Sequence, residues 1–291
     1  MFSLARAWRA LLLLVTAIGL GAPALLAAPK VYVGNFQDNT VSVLDLATDS
    51  VVATIPVTKG PHGIAATRDG RWVLVSGDGS SQVSVIDAAT DKVVRTVEVG
   101  KSPHGITVTP DGKLALVAVN GQSQIAYVDL ATLTVVARVA VPAPHTVGLS
   151  PDGKTAYVSA QEPGHLGLAV LDVAARKVVR TIPLDKVPRD VEFGFGGKAV
   201  YYTLAGVNAV QVLNPQTEQV SATIPTGISP HVVIQPPQVK FGLTVVQGVK
   251  ELLLFDPQTD QALRSFPVEN QPHWVTVTPD GGTAVVTNEG S

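Results

Sequence analysis

The stretch VSVIDAATDKVVRTVEV, residues 83–99, decides the fold, because the chain writes it six times. It stands as VSVLDLATDSVVATIPV from Val41, as IAYVDLATLTVVARVAV from Ile125 and as LAVLDVAARKVVRTIPL from Leu168. Looser copies begin at Ala209 and Leu252. The residue that closes the first half of each copy is Asp45, Asp87, Asp129, Asp172, Asn214 or Asp256, at spacings of 42, 42, 43, 42 and 42 residues. A fixed period of this size is the signature of a chain built from stacked supersecondary units.

Inside a unit, apolar residues alternate over short runs rich in Val, Ile and Thr, the period of a strand rather than a helix. The third unit is expected to hold strand A at His104–Thr109, B at Leu114–Val119, C at Gln124–Asp129 and D at Val135–Val141. Pro110-Asp111-Gly112, Pro151-Asp152-Gly153 and Pro279-Asp280-Gly281 separate A from B, and Arg68-Asp69-Gly70 does so without the Pro. Each offers an Asp that can bond nearby backbone and a Gly free to take positive φ. Four antiparallel strands per unit describe the blade of an all-β propeller.

With the B strands reading VYVGN (31–35), AYVSA (156–160) and AVVTN (284–288), and with PHGI and PDGK recurring around them, the chain resembles the YVTN-repeat β-propellers, largely exported prokaryotic proteins. The resemblance runs over residues 31–291 and implies seven blades. It also implies a fold-level relation to the propeller of nitrous-oxide reductase, which holds a copper cluster with histidines, and to the haem-binding propeller of a periplasmic nitrite reductase. Residues 31–58 supply B, C and D, five complete units follow from Pro61 to Val268, and His273–Thr278 and Thr283–Asn288 add A and B, giving 25 strands. The expectation is a seven-bladed pattern with its last blade incomplete, read as a truncated product. The alternative is a six-bladed ring in which His273–Thr278 joins the first blade and the last strand is surplus.

Arg6 and Arg9 precede an apolar run, Ala10–Leu20, with small residues at Ala22-Pro23-Ala24 and Ala27-Ala28. That order is a secretory signal peptide over residues 1–28, with a mature start between Pro23 and Pro29 and one propeller domain over 29–291. A periplasmic or secreted location follows, with no membrane span after cleavage. Loss of the leader takes the formal charge from −2 to −4, which offers no footprint for nucleic acid. With no Cys in the chain, thiolate catalysis and thiolate metal sites are excluded, and stability must come from core burial.

The residue opening strand A is His62, His104, His145, Arg189, His231 or His273, so five of the six histidines share one register at the channel mouth. His165, in the B to C loop of the fourth blade, and Trp274, beside His273, are expected on the same face. Neutral imidazoles at His62, His104, His145, His231 and His273 suit copper or another transition metal. The same mouth equally suits an organic or peptide ligand, and repeat geometry alone could demand a ring after each Pro. The circle is too wide for one ion to reach every member. Asp38, Asp78, Asn120, Glu162, Asn208 and Glu289 lie in B to C loops and could complete a polar pocket or bind calcium. Asp45 and its equivalents read as turn formers, and Trp72 as core. Ser76-Gly77-Asp78-Gly79-Ser80 opens no helix and so lacks the context of a phosphate cradle.

No Gly-x-Ser-x-Gly and no His-Glu-x-x-His is present, so a hydrolase has no support. Three function classes remain. The leading one is a binding or scaffold module with a small molecule or protein at the mouth. The second is a metal- or haem-binding redox accessory, and the third a lyase or lactonase using His and Glu as acid and base.

Overall fold

The computed structural model describes residues 30–290, so the expected leader and its cleavage sites lie outside the described residues. The chain opens with a three-stranded sheet, β1 (Lys30–Asn35), β2 (Thr40–Asp45) and β3 (Ser50–Pro56). Five four-stranded meanders follow. They are β4 (Pro61–Ala66), β5 (Trp72–Gly77), β6 (Gln82–Asp87) and β7 (Lys92–Glu98); then β8 (Pro103–Val108), β9 (Leu114–Val119), β10 (Gln124–Asp129) and β11 (Thr134–Ala140). Next come β12 (Pro144–Leu149), β13 (Thr155–Ala160), β14 (Gly167–Asp172) and β15 (Lys177–Pro183), followed by β16 (Pro188–Gly194), β17 (Ala199–Leu204), β18 (Ala209–Asn214) and β19 (Gln219–Pro225). The fifth is β20 (Pro230–Ile234), β21 (Gly242–Val246), β22 (Glu251–Asp256) and β23 (Gln261–Pro267), and a hairpin of β24 (Pro272–Val277) and β25 (Ala284–Asn288) ends the series.

This is an all-β propeller. Strands β4, β8, β12, β16, β20 and β24 touch in succession around the axis, and the rings of His273 and His62 close the circle at 5.5 Å between centroids. The inner ring therefore has six members, as the six-bladed arrangement requires. β1, β2 and β3 supply strands B, C and D beside β4, while β24 pairs as an A strand with β25. The strands form seven sheets because β24 bonds to β25 rather than to β1.

The turns form as their residues dictate. Asp111 accepts from the Thr109 hydroxyl at 2.6 Å and from the Lys113 amide at 3.1 Å, while Gly112 takes a φ of 69°. Asp69, Asp152 and Asp280 repeat this arrangement in their own blades. In the C to D turns the carboxylates of Asp45, Asp87 and Asp129 accept the amide two residues on, which makes them the turn formers the repeat implied.

Between sheets the alternating residues interdigitate. Val83, Val85 and Val97 of one blade meet Ala115, Val117 and Val128 of the next, all buried. Each such side chain contributes roughly 1.5–3 kcal/mol when fully removed from water. Trp72 packs against this cluster as expected, with the Arg71 guanidinium 4.4 Å above its ring. Among the described residues, no helix is long and apolar enough to cross a membrane.

Candidate ligand site at the channel mouth

Every inner strand begins with Pro, and in all six the pairing with strand B shifts register between that Pro and the next ladder pair. The missing N–H of Pro and the resulting bulge release the following residue from the sheet plane and re-aim it. That residue is the His or Arg of the repeat. The rings of His62 and His104 lie 3.7 Å apart, those of His104 and His145 4.0 Å, and those of His231 and His273 4.3 Å. With Arg189 between His145 and His231, the six side chains form a collar at one end of the channel.

Two features that sequence reasoning missed hold the collar in register. A Cβ on Gly63 would stand 2.4 Å from the His104 carbonyl oxygen, and one on Gly105 2.4 Å from that of His145, so only glycine permits these inner strands to approach so closely. The tightest ring contacts are the ones beside these glycines. The second feature is a hydroxyl near the end of strand B that reaches into the next blade: Ser76 Oγ and Thr203 Oγ1 donate to the carbonyls of His104 and His231. The recurring Ser or Thr of the B strand was its signal, visible in the repeat but unassigned.

Packing rings this closely keeps them neutral. Burial, reinforced by the neighbouring imidazoles, pushes His62 down to about 4. His145 is lowered to about 4, chiefly by burial, against the opposing effect of its bond to Arg189. His104 and His231 are lowered further, again by burial first and neighbouring rings second.

The hydrogen bonds orient two of the rings. His145 Nδ1 lies 2.8 Å from the Arg189 carbonyl, which can only accept, so Nδ1 carries the proton and Nε2 presents a bare lone pair. His273 Nδ1 donates to Glu289 Oε1 at 2.9 Å. The Nδ1 atoms of His62, His104 and His231 are buried with no partner, which leaves Nε2 as the atom through which these rings can engage a ligand.

Arg189 brings the collar's guanidinium, and its Nη1 donates to Ser229 Oγ at 2.8 Å and Gln247 Oε1 at 3.5 Å. Both partners are uncharged, and no ion pair neutralises Arg189 among the described residues. Where the repeat reads Pro-His elsewhere, this blade reads Pro188-Arg189-Asp190, and the strand continues to Glu192. Asp190 is buried and accepts the Val233 amide at 2.9 Å, and burial lifts its carboxyl to about 6. Glu192, two residues further along β16, is held well above the usual carboxylate range by burial and by Asp190.

The other expected site residues divide. Glu289 joins the collar through His273. His165 does not: its side chain is 68% exposed, 4.0 Å from Glu162, and meets none of the collar rings, because its loop extends into solvent beyond β13. Trp274 is half-buried. Its ring lies 6.4 Å from that of His273 and packs on the core cluster of Val232 and Leu243. Asn120 donates to the Pro144 carbonyl at 3.2 Å and Asn208 accepts the Ser229 amide at 3.4 Å, so both brace loops. Asp38 is exposed. Asp78 is raised by burial. Among the described residues, no three His, Asp or Glu side chains are grouped so as to hold one metal ion.

An inner ring of polar residues on a six-membered circle of strands defines a β-propeller with a candidate site at its channel mouth. A model of the YNCE-like β-propeller family matches residues 12–114. Among solved structures, the chain is similar to hydrazine synthase of Kuenenia stuttgartiensis, at a TM-score of 0.81 and 22% identity over 94% of this chain and 96% of that one. It is also similar to the dihydro-heme d1 dehydrogenase NirN in complex with DHE, at a TM-score of 0.66 and 20% identity, over 88% of this chain and 58% of that one. At these identities the likeness shows the propeller fold. No curated protein matches the chain by sequence.

Proposed function

We propose that this protein is an exported binding module that holds a small anionic ligand at the collar. The observation that carries the reading is Arg189, a cation with no ion-pair partner among the described residues, set among imidazoles that burial keeps neutral. A guanidinium flanked by neutral rings favours a carboxylate or phosphate, and the Nε2 edges around it provide further hydrogen-bonding positions. The leader pattern of residues 1–28 supports export. Native mass spectrometry of protein purified from the exported fraction tests the reading. A retained small-molecule mass that disappears in Arg189→Met is expected; a parent protein carrying no adduct, or an adduct indifferent to the change, would count against it.

A second reading has a specific observation in its favour. His145 and His273 each donate Nδ1–H to a carbonyl or carboxylate, the arrangement in which imidazoles ligate metals through the other nitrogen. Since no three-ligand group is formed among the described residues, the collar suits a metal that takes one imidazole, as the iron of a haem-type group can, better than a bare copper or zinc ion. NirN, similar in fold, was solved in complex with DHE, which supports trying such a ligand here. Elemental analysis and the visible spectrum of the same preparation separate this reading from the first.

A further inference from the structure

We infer that Glu192 receives, in the channel beneath the collar, the ammonium end of a slender, unbranched ligand whose other end is the anionic group held at Arg189. The inference rests on the reading of Arg189 as an anion site and names the class of ligand that site takes. On β16 the residues flanking Glu192 are Val191 and Phe193, both buried in a core shared with Tyr157 and Leu168 of the preceding blade. Alternation along the strand turns Glu192 away from that core, and it is half-buried where they are buried. An innermost strand has a blade on either face, so accessibility in the middle of it is accessibility from the channel.

The residues at the same place on the other inner strands, three past the His, are Ala65, Thr107, Gly148, Ile234 and Thr276. They form a second tier below the collar, in which Glu192 is the one ionisable side chain. Small residues leave its carboxyl room. Ala65 stands across the circle on β4, and on the neighbouring strand a Cβ at Gly148 would fall 3.0 Å from Glu192 Cα. From Asp190 onward the ladder of β16 is regular, with Asp190 opposite Thr203, Val191 opposite Tyr202 and Glu192 opposite Tyr201. Three steps along the strand therefore put about 10 Å between the tier of Arg189 and that of Glu192.

Charge and width narrow the ligand. Asp190 has the Val233 amide as a partner, whereas Glu192 forms no ion pair among the described residues, and the charge that reaches it is that of Asp190, of its own sign. An ammonium supplies the missing partner through a charge-assisted hydrogen bond. On a circle of six, each collar ring stands about as far from the axis as from its neighbour, and neighbouring centroids lie 3.7–5.5 Å apart. Carbon atoms in contact keep about 3.5–4.0 Å between them, so the passage admits a single polymethylene chain and excludes branched or cyclic bodies. An aminoalkanoate with its two charges about 10 Å apart meets all three conditions.

The test measures binding of ω-aminooctanoate and of octanoate to the full chain by calorimetry. The amino acid should bind the parent at least about tenfold more tightly than octanoate, the gain expected of one charge-assisted hydrogen bond. In Glu192→Gln, which keeps the side chain's size and should leave the circular dichroism unchanged, that advantage should vanish while octanoate binds as before. Ala65→Leu, which narrows the channel opposite Glu192, should weaken the amino acid alone. Octanoate bound through Arg189 with no gain from the amino group, or a gain that survives Glu192→Gln, would overturn this inference and leave the anion site standing. Absence of binding by both probes would overturn the inference together with the reading it rests on.

Discussion

Gly105 shows how much the collar depends on a single missing methyl. A Cβ there would also stand 2.9 Å from Thr146 Cα, so both obstacles are backbone, which cannot rotate away. Gly105→Ala should destabilise by about 1–3 kcal/mol, the usual cost of overpacking, and the urea midpoint measures it. It should also part the rings of His104 and His145. The Pro-His-Gly triplet is plain in the sequence, but its glycine acts on the neighbouring blade, a relation that no local reading contains. Likewise, Arg189-Asp190 is visible as a departure from the repeat. That Asp190 would be buried and accept the Val233 amide depends on the position of β20, about 40 residues away in the chain.

The strands were largely legible because turn chemistry and alternation agree. In the third unit, β9 and β10 match their expected bounds, and β8 and β11 begin and end one residue early. The bulge that follows each Pro in the inner strand is not legible in the same way, since it arises from pairing and not from residue type. Trp274 shows the consequence: it follows a His at the mouth, and its ring also packs on the core cluster of Val232 and Leu243, a contact that its place in the sequence does not announce. Ile224 of β19 and Phe266 of β23 hold the same place in their D strands, the first fully buried and the second 37% exposed. Ile224→Ala should cost about 2–5 kcal/mol, as expected for a fully buried aliphatic side chain, whereas Phe266→Ala should cost less than about 1 kcal/mol. Paired denaturation curves would show it, and equal losses would mean that the β23 face is covered.

For the whole molecule, the collar writes a pH dependence whose sign can be worked out. Above the ordinary imidazole value of about 6.5, the rings are neutral in both folded and unfolded chains. As pH falls below it, the unfolded chain takes up protons at His62, His104, His145 and His231 that the folded collar refuses, so stability is lost until the folded values are reached. Asp190 and Glu192 act in the opposite sense, because the folded chain keeps protons on them that the unfolded chain has released. The imidazoles outnumber these two carboxyls, so the collar favours unfolding as pH falls from 6 toward 4.5. His273, Glu289 and Arg189 face the same rings and are present in every variant compared. Melting temperature should therefore fall from pH 6 to 4.5 in the parent and fall less steeply in His62→Gln/His145→Gln, which removes two of the four imidazoles. A closed collar of packed, neutral imidazoles is the central claim, and nitrogen NMR of the ring atoms between pH 4 and 8 tests it most directly. Neutral rings at His62 and His145 down to about pH 4, with the proton of His145 on Nδ1, are the result predicted; titration of these rings near pH 6.5, as free imidazoles do, would contradict it.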